Sequence, residues 1–79
     1  LFPNPAQERV QLSYELPEAA AVRLTLFDTQ GRQVAALLDE QAAAGSHQVK
    51  LALPALPEGL YLWQLQLGDT RQTGRLVKR

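Results

Sequence analysis

A chain of 79 residues suits one domain, small enough that every buried apolar residue counts toward its core. Without cysteine it can form neither a disulfide staple nor a thiolate metal site. Eight basic residues against eight acidic ones leave no net charge, which argues against nucleic acid, where a basic surface must displace counterions.

The chain opens at Leu1-Phe2-Pro3 with no initiator Met, no basic leader and no signal-peptide core, and reads as a module excised from a longer protein. No stretch approaches the roughly 20 apolar residues that a membrane-spanning helix needs. The first clear pattern is period-2 alternation, the mark of a half-buried strand. Val10, Leu12, Tyr14 and Leu16 alternate with Gln11, Ser13 and Glu15, until Pro17-Glu18 ends the run. Val22, Leu24 and Leu26 then alternate with Arg23 and Thr25. Asp28-Thr29-Gln30-Gly31 follows as a turn, with Asp at its head and Gly where a positive φ costs least.

Residues 33–44, QVAALLDEQAAA, conflict with their surroundings. Val34, Leu37 and Leu38 have helical spacing, and Gly45 would serve as a stop. A hairpin after Gly31 instead pairs this segment with the preceding strand. Since context overrides propensity in short segments, we expect a strand over 33–38 and a loop over 39–45.

Alternation resumes at His47, Val49, Leu51 and Leu53, and again at Tyr61, Trp63, Leu65 and Leu67. Gly68-Asp69 turns the chain into a last strand at about Arg71 to Val77. The prolines at 3, 5, 17, 54 and 57 fall between these runs, as they must, because proline cannot donate to a central ladder. Six or seven short strands separated by turns predict an all-β antiparallel sandwich.

Catalytic chemistry finds little support. The one histidine, His47, adjoins Ser46, but neighbours on a strand point to opposite faces and cannot act as nucleophile and base. His47 is expected to be a partly covered residue at a strand end. Glu15, Glu18, Asp39 and Glu40 read as solvated charge, since a unit this small has no cleft to set a carboxylate pair across. The acidic residues are too scattered for a calcium site, and neither a phosphate loop nor zinc spacing is present. No catalytic residue, metal or cofactor is therefore expected. Tyr61 and Trp63 on one strand face would suit sugar stacking, but their phase with Leu65 and Leu67 favours the core.

Several segments together are similar to one family. Phe2-Pro3-Asn4-Pro5 resembles the [YF]-P-N-P opening of the sorting domains of the bacterial type IX (Por) secretion system, type A. Val22 to Asp28 followed by Gly31-Arg32-Gln33-Val34 resembles that family's "V-x-L-x-[IL]-[YF]-D … G-[RKQ]-x-V" hairpin. Ala44-Gly45-Ser46-His47 resembles its "a-G-x-h" step, and Leu56-Pro57-Glu58-Gly59-Leu60-Tyr61 its "L-x-x-G-[VIL]-Y" motif. Arg75-Leu76-Val77-Lys78 is similar to the closing "K-[LVM]-[VI]-x" strand, with arginine for the commoner lysine. The order and spacing agree along the whole chain. Pro3, Asn4, Pro5, Gly31 and Gly45 are its motif positions outside the closing strand and the Gly59–Tyr61 step.

The resemblance implies an immunoglobulin-like antiparallel β-sandwich of about seven strands, spanning 1–79 at the C-terminus of a larger secreted protein. It implies a non-catalytic sorting signal that carries its cargo from the periplasm across the outer membrane to the cell surface or medium. Its partners would be the translocon, an outer-membrane shuttle protein and a sortase-like peptidase, and there is room for a weak homodimer through an edge strand. We expect Gly59, Tyr61, Arg75, Leu76, Val77, Lys78 and Arg79 to serve translocon recognition, Gly59 and Tyr61 by shaping the last hairpin. Removal of 75–79 is expected to stop export with the fold mostly kept. A carbohydrate-binding or spacer module of a secreted enzyme is the alternative; exposure of Tyr61 and Trp63 would favour the former.

Overall fold

Every apolar-alternating run becomes a strand in the computed structural model, which describes residues 8–79. The Pro3, Asn4 and Pro5 motif positions lie outside the described residues. The strands are β1 (Arg9–Leu16), β2 (Ala20–Phe27), β3 (Gln33–Ala42), β4 (Gly45–Ala52), β5 (Gly59–Leu67) and β6 (Thr70–Lys78). Thus six strands stand among the described residues, where about seven were expected.

Two antiparallel sheets face each other. One holds β1 and β4; the other runs β3-β2-β5-β6. With β1 and β4 in the B and E places, the larger sheet has the C′-C-F-G order of immunoglobulin-type sandwiches. The odd strands begin, and the even strands finish, at one end of the sandwich, here called the Pro57 end; the other is the Pro17 end.

Side chains that alternate inward fill the space between the sheets. Leu12, Tyr14, Leu16, Val22, Leu24 and Leu65 form one cluster toward the Pro17 end. Val10, Leu26, Tyr61 and Leu76 form the other, toward the Pro57 end, and Trp63 packs against both. Each such burial contributes on the order of 1.5–3 kcal/mol, offset by chain entropy.

Strand β3 departs from the sequence expectation. It continues through Asp39–Ala42, where a loop was expected, because Ala20, Ala21, Val22 and Arg23 pair with these residues through the main chain. The ladder outweighs their helix propensity. The strand also bulges twice. Leu24 faces Leu38 and Thr25 faces Ala36, which leaves Leu37 extra; Leu26 faces Ala35 and Phe27 faces Gln33, which leaves Val34 extra. Each bulge shifts the phase by one residue, so Ala35, Leu37 and Leu38 all pack on the core. Helical spacing in the sequence is the trace of a strand bulged twice.

Candidate recognition site

The Leu56–Tyr61 motif turns the chain from its loop into β5. Gly59 takes φ +152°, a region that residues with a Cβ rarely enter, and an added Cβ there would meet nothing. Glycine is needed there for conformation, since there is room for a larger residue. Two residues on, Tyr61 is 7% exposed, and its hydroxyl donates to the Pro57 carbonyl at 2.7 Å. A tyrosine at the start of strand F bonded back to the loop main chain is the tyrosine corner of immunoglobulin-type sandwiches. Gly59 and Tyr61 thus shape the corner that enters β5, at the open end of the last hairpin, whose turn lies at Gly68-Asp69.

Trp63 faces Gly74 across β5 and β6. A Cβ on Gly74 would lie 2.7 Å from the indole Nε1 and closer still to two ring carbons, so the ring occupies the space a side chain would take. Tyr61 is buried in the sandwich and Trp63 is half-buried against both core clusters, so the sugar-stacking reading loses Tyr61 and keeps one partly covered ring.

At the same end, Asp28 organises the β2–β3 turn. Its Oδ1 accepts the N–H groups of Gln30 and Arg32, each at 2.9 Å, and its Oδ2 accepts Nε of Arg32 at 2.9 Å. Gly31 sits at φ +85° and donates its N–H to the Asp28 carbonyl at 3.0 Å. The Arg32 N–H is the main reason that the Asp28 carboxyl lies below its usual range; desolvation opposes it, and the Arg32 guanidinium and Gln30 N–H reinforce it. At the Pro17 end, Gly45 takes φ +119° as β4 begins. His47 is half-buried, its ring stacked on Tyr14 with centroids 5.0 Å apart. Its Nε2 lies 2.7 Å from the Ala43 carbonyl, and since a carbonyl only accepts, the proton is on Nε2. This is the partly covered strand-end histidine expected.

These motif residues thus shape turns and corners of an immunoglobulin-type sandwich. The family model described as the secretion system C-terminal sorting domain matches residues 1–79. The chain belongs to the type IX sorting-domain family. Comparison with curated proteins and with solved structures finds no match. Members of this family are non-catalytic sorting signals, and membership implies export to the cell surface or the medium and engagement of the type IX machinery. Among the described residues, no helix is long and apolar enough to cross a membrane.

Along the sorting domain's last strand, the expected recognition residues divide by face. Leu76 is 1% exposed and sits opposite Tyr61 in the core, so its side chain cannot meet a partner while the fold is intact. Arg75, Val77 and Arg79 are exposed, and Lys78 is half-buried with its Nζ on the Arg79 carbonyl at 3.1 Å. The expectation that 75–79 can be removed with the fold mostly kept needs correction. Such a deletion takes Leu76 from the core and strips β5 of its partner over Gly59–Leu62.

Charge separates along the sorting domain although its total is zero. Arg9, Arg32, Lys50, Arg75, Lys78 and Arg79 lie in the half toward the Pro57 end, against Glu8, Asp28 and Glu58. The half toward the Pro17 end has Glu15, Glu18, Asp39, Glu40 and Asp69 against Arg23 and Arg71. Arg23 and Asp39 approach to 3.7 Å, both well exposed, a pair of small energetic weight.

The basic half also carries what sequence reasoning missed. The large exposed apolar residues among the described ones are Val34, Leu60, Leu62 and Val77, all toward the Pro57 end. Leu60 lies opposite Val77, and Leu62 lies between Phe27 and Arg75 on the outer face of the larger sheet. A depression of about 450 Å³ there is lined by Phe27, Leu62, Gln64, Thr73 and Arg75, among others. The available signal was two leucines at positions out of phase with Tyr61, Trp63 and Leu65.

Proposed function

We propose that residues 1–79 are the C-terminal domain of a larger secreted protein and act as a non-catalytic signal directing that cargo across the outer membrane by the type IX route. The cargo would pass from the periplasm to the cell surface or medium, meeting the translocon, an outer-membrane shuttle protein and a sortase-like peptidase on the way. The observation that carries this reading is the family match along the whole chain. A folded signal must offer a partner exposed side chains, and Arg75 and Val77 on β6, with Arg79 just beyond it, are exposed.

The test is to fuse residues 1–79 behind a periplasmic reporter in a host with a working type IX system, beside a translocon-null strain. Translocon-dependent appearance of the reporter outside the cell is expected. A stable, folded fusion that stays in the periplasm would overturn the reading. Because truncation damages the core, the role of the tail is better tested with Lys78→Ala combined with Arg79→Ala. That variant should melt like the wild type and be exported less.

A further inference from the structure

We propose that the outer face of β5 and β6 at the basic end is a docking surface for an acidic, apolar segment of the export machinery; this rests on the sorting reading above. Its floor is Phe27, Leu60, Leu62 and Val77, and Arg75 stands at its rim.

Four observations converge on one place. Leu60 and Leu62 are 42% and 39% exposed on strand positions that ordinarily carry polar residues, as Gln64 and Gln66 do farther along β5. Val77 adds to the same patch from the neighbouring strand, directly opposite Leu60. The depression beside Leu62 offers a seat for a side chain. The patch lies in the half of the molecule with six basic residues against three acidic ones. Apolar contact there is therefore reinforced for an acidic partner and opposed for a basic one.

The same distribution argues against a second copy as occupant. Pairing patch on patch brings two basic halves together. Pairing head to tail sets the patch against the Pro17 end, which carries none of the large exposed apolar residues among the described ones. A bilayer surface would also attract basic charge, but the patch includes a depression of about 450 Å³ suited to a protruding side chain.

The test uses the reporter fusion of residues 1–79. A photo-reactive benzoylphenylalanine replaces Leu62 in one chain and Ser13, exposed on the other sheet, in another. We expect position 62 to crosslink to a translocon component within a segment rich in Asp or Glu and apolar residues, and position 13 to give no such crosslink. Leu62→Glu and Leu62→Lys then separate charge from lost apolar contact, because both remove the same leucine from an exposed site. Export of Leu62→Glu should fall about tenfold below that of Leu62→Lys, with equal melting temperatures for the two purified chains.

Equal export of the two variants overturns the acidic partner. A crosslink from position 62 to a second copy or to lipid overturns the proposed occupant, and no crosslink there during active export overturns the surface. In each case the wild-type fusion still leaves the cell, so the sorting reading stands. If the wild-type fusion itself stays inside, it is the sorting reading that fails.

Discussion

The corner at Tyr61 and the turn at Asp28 do similar work at the same end of the sandwich. In each, one polar side chain reaches the main chain of its own loop: Tyr61 through one bond to Pro57, Asp28 through bonds to Gln30 and Arg32. The corner is buried among Val10, Leu26 and Leu76, whereas the turn's donors at Gln30 and Arg32 are exposed and the Asp28 side chain is itself only half-buried. The turn has more hydrogen bonds, yet water can replace each of them at little cost. At the corner, one bond comes with the burial of a whole aromatic ring. Burial, more than bond number, sets what each motif contributes to stability.

Removing the ring tests the buried side hardest. Tyr61→Ala should cost about 3–5 kcal/mol, a large share of the roughly 5–15 kcal/mol typical of a domain, and chemical denaturation would show partial or complete loss of the fold. Gly74→Ala adds one methyl group beneath Trp63 and should cost about 1–3 kcal/mol by overpacking, seen as a lower denaturation midpoint. If Gly74→Ala melts like the wild type, the contact of ring and glycine is looser than described.

Tyr61→Phe keeps the ring and removes only the bond, with an expected cost of about 1 kcal/mol. Asp28→Asn should have a smaller effect at neutral pH and a distinctive pH dependence. A carboxyl held below its ordinary value of 3.8 stabilises the fold above that value, and the contribution is lost as pH falls through the lowered one. Melting curves of wild type and Asp28→Asn should converge as the solution is acidified; a gap that stays constant throughout would rule out the carboxylate as its source.

Tyr14→Phe should have the smallest effect and supplies the contrast. The Tyr14 hydroxyl is buried with no hydrogen-bond partner, so its removal should leave stability unchanged or slightly higher. Burial, and after it the Glu40 carboxylate, push this phenol up from its ordinary value of 10.0. Relative to its ionised form, the neutral phenol favours the fold below the ordinary value, and that advantage is lost as pH rises through the raised one. Tyr14→Phe should therefore soften unfolding in alkali, and an identical alkaline limb would show that this phenol does not govern it.

Most of the fold was legible because β1, β2 and β4, and β5 from Trp63 onward, alternate apolar and polar residues, which is what one core face and one solvent face impose, while β6 was marked by the Gly68-Asp69 turn before it. Strand β3 was half legible. Bulges at Val34 and Leu37 reset its phase, and a strand whose phase shifts twice imitates a helix in one dimension. Asp28 and Gly31 read correctly as a turn because that chemistry is local. The destination of the Tyr61 hydroxyl was not legible: which carbonyl it meets depends on how the Pro57 loop folds back. Nor was the patch at Leu60 and Leu62. In sequence they merge with Tyr61 and Trp63 into one apolar run, and only the cross-strand register separates the residues facing out from those facing in.

The seat of Trp63 on Gly74 gives the molecule an optical gauge of its own. The chain has a single tryptophan, so all indole emission arises at the seam between β5 and β6. If the last strand peels away while the remainder stays folded, that indole gains water, and its emission should move to longer wavelength before the bulk of the β-sheet signal is lost. The detachment of the final strand can thus be followed without attaching a label.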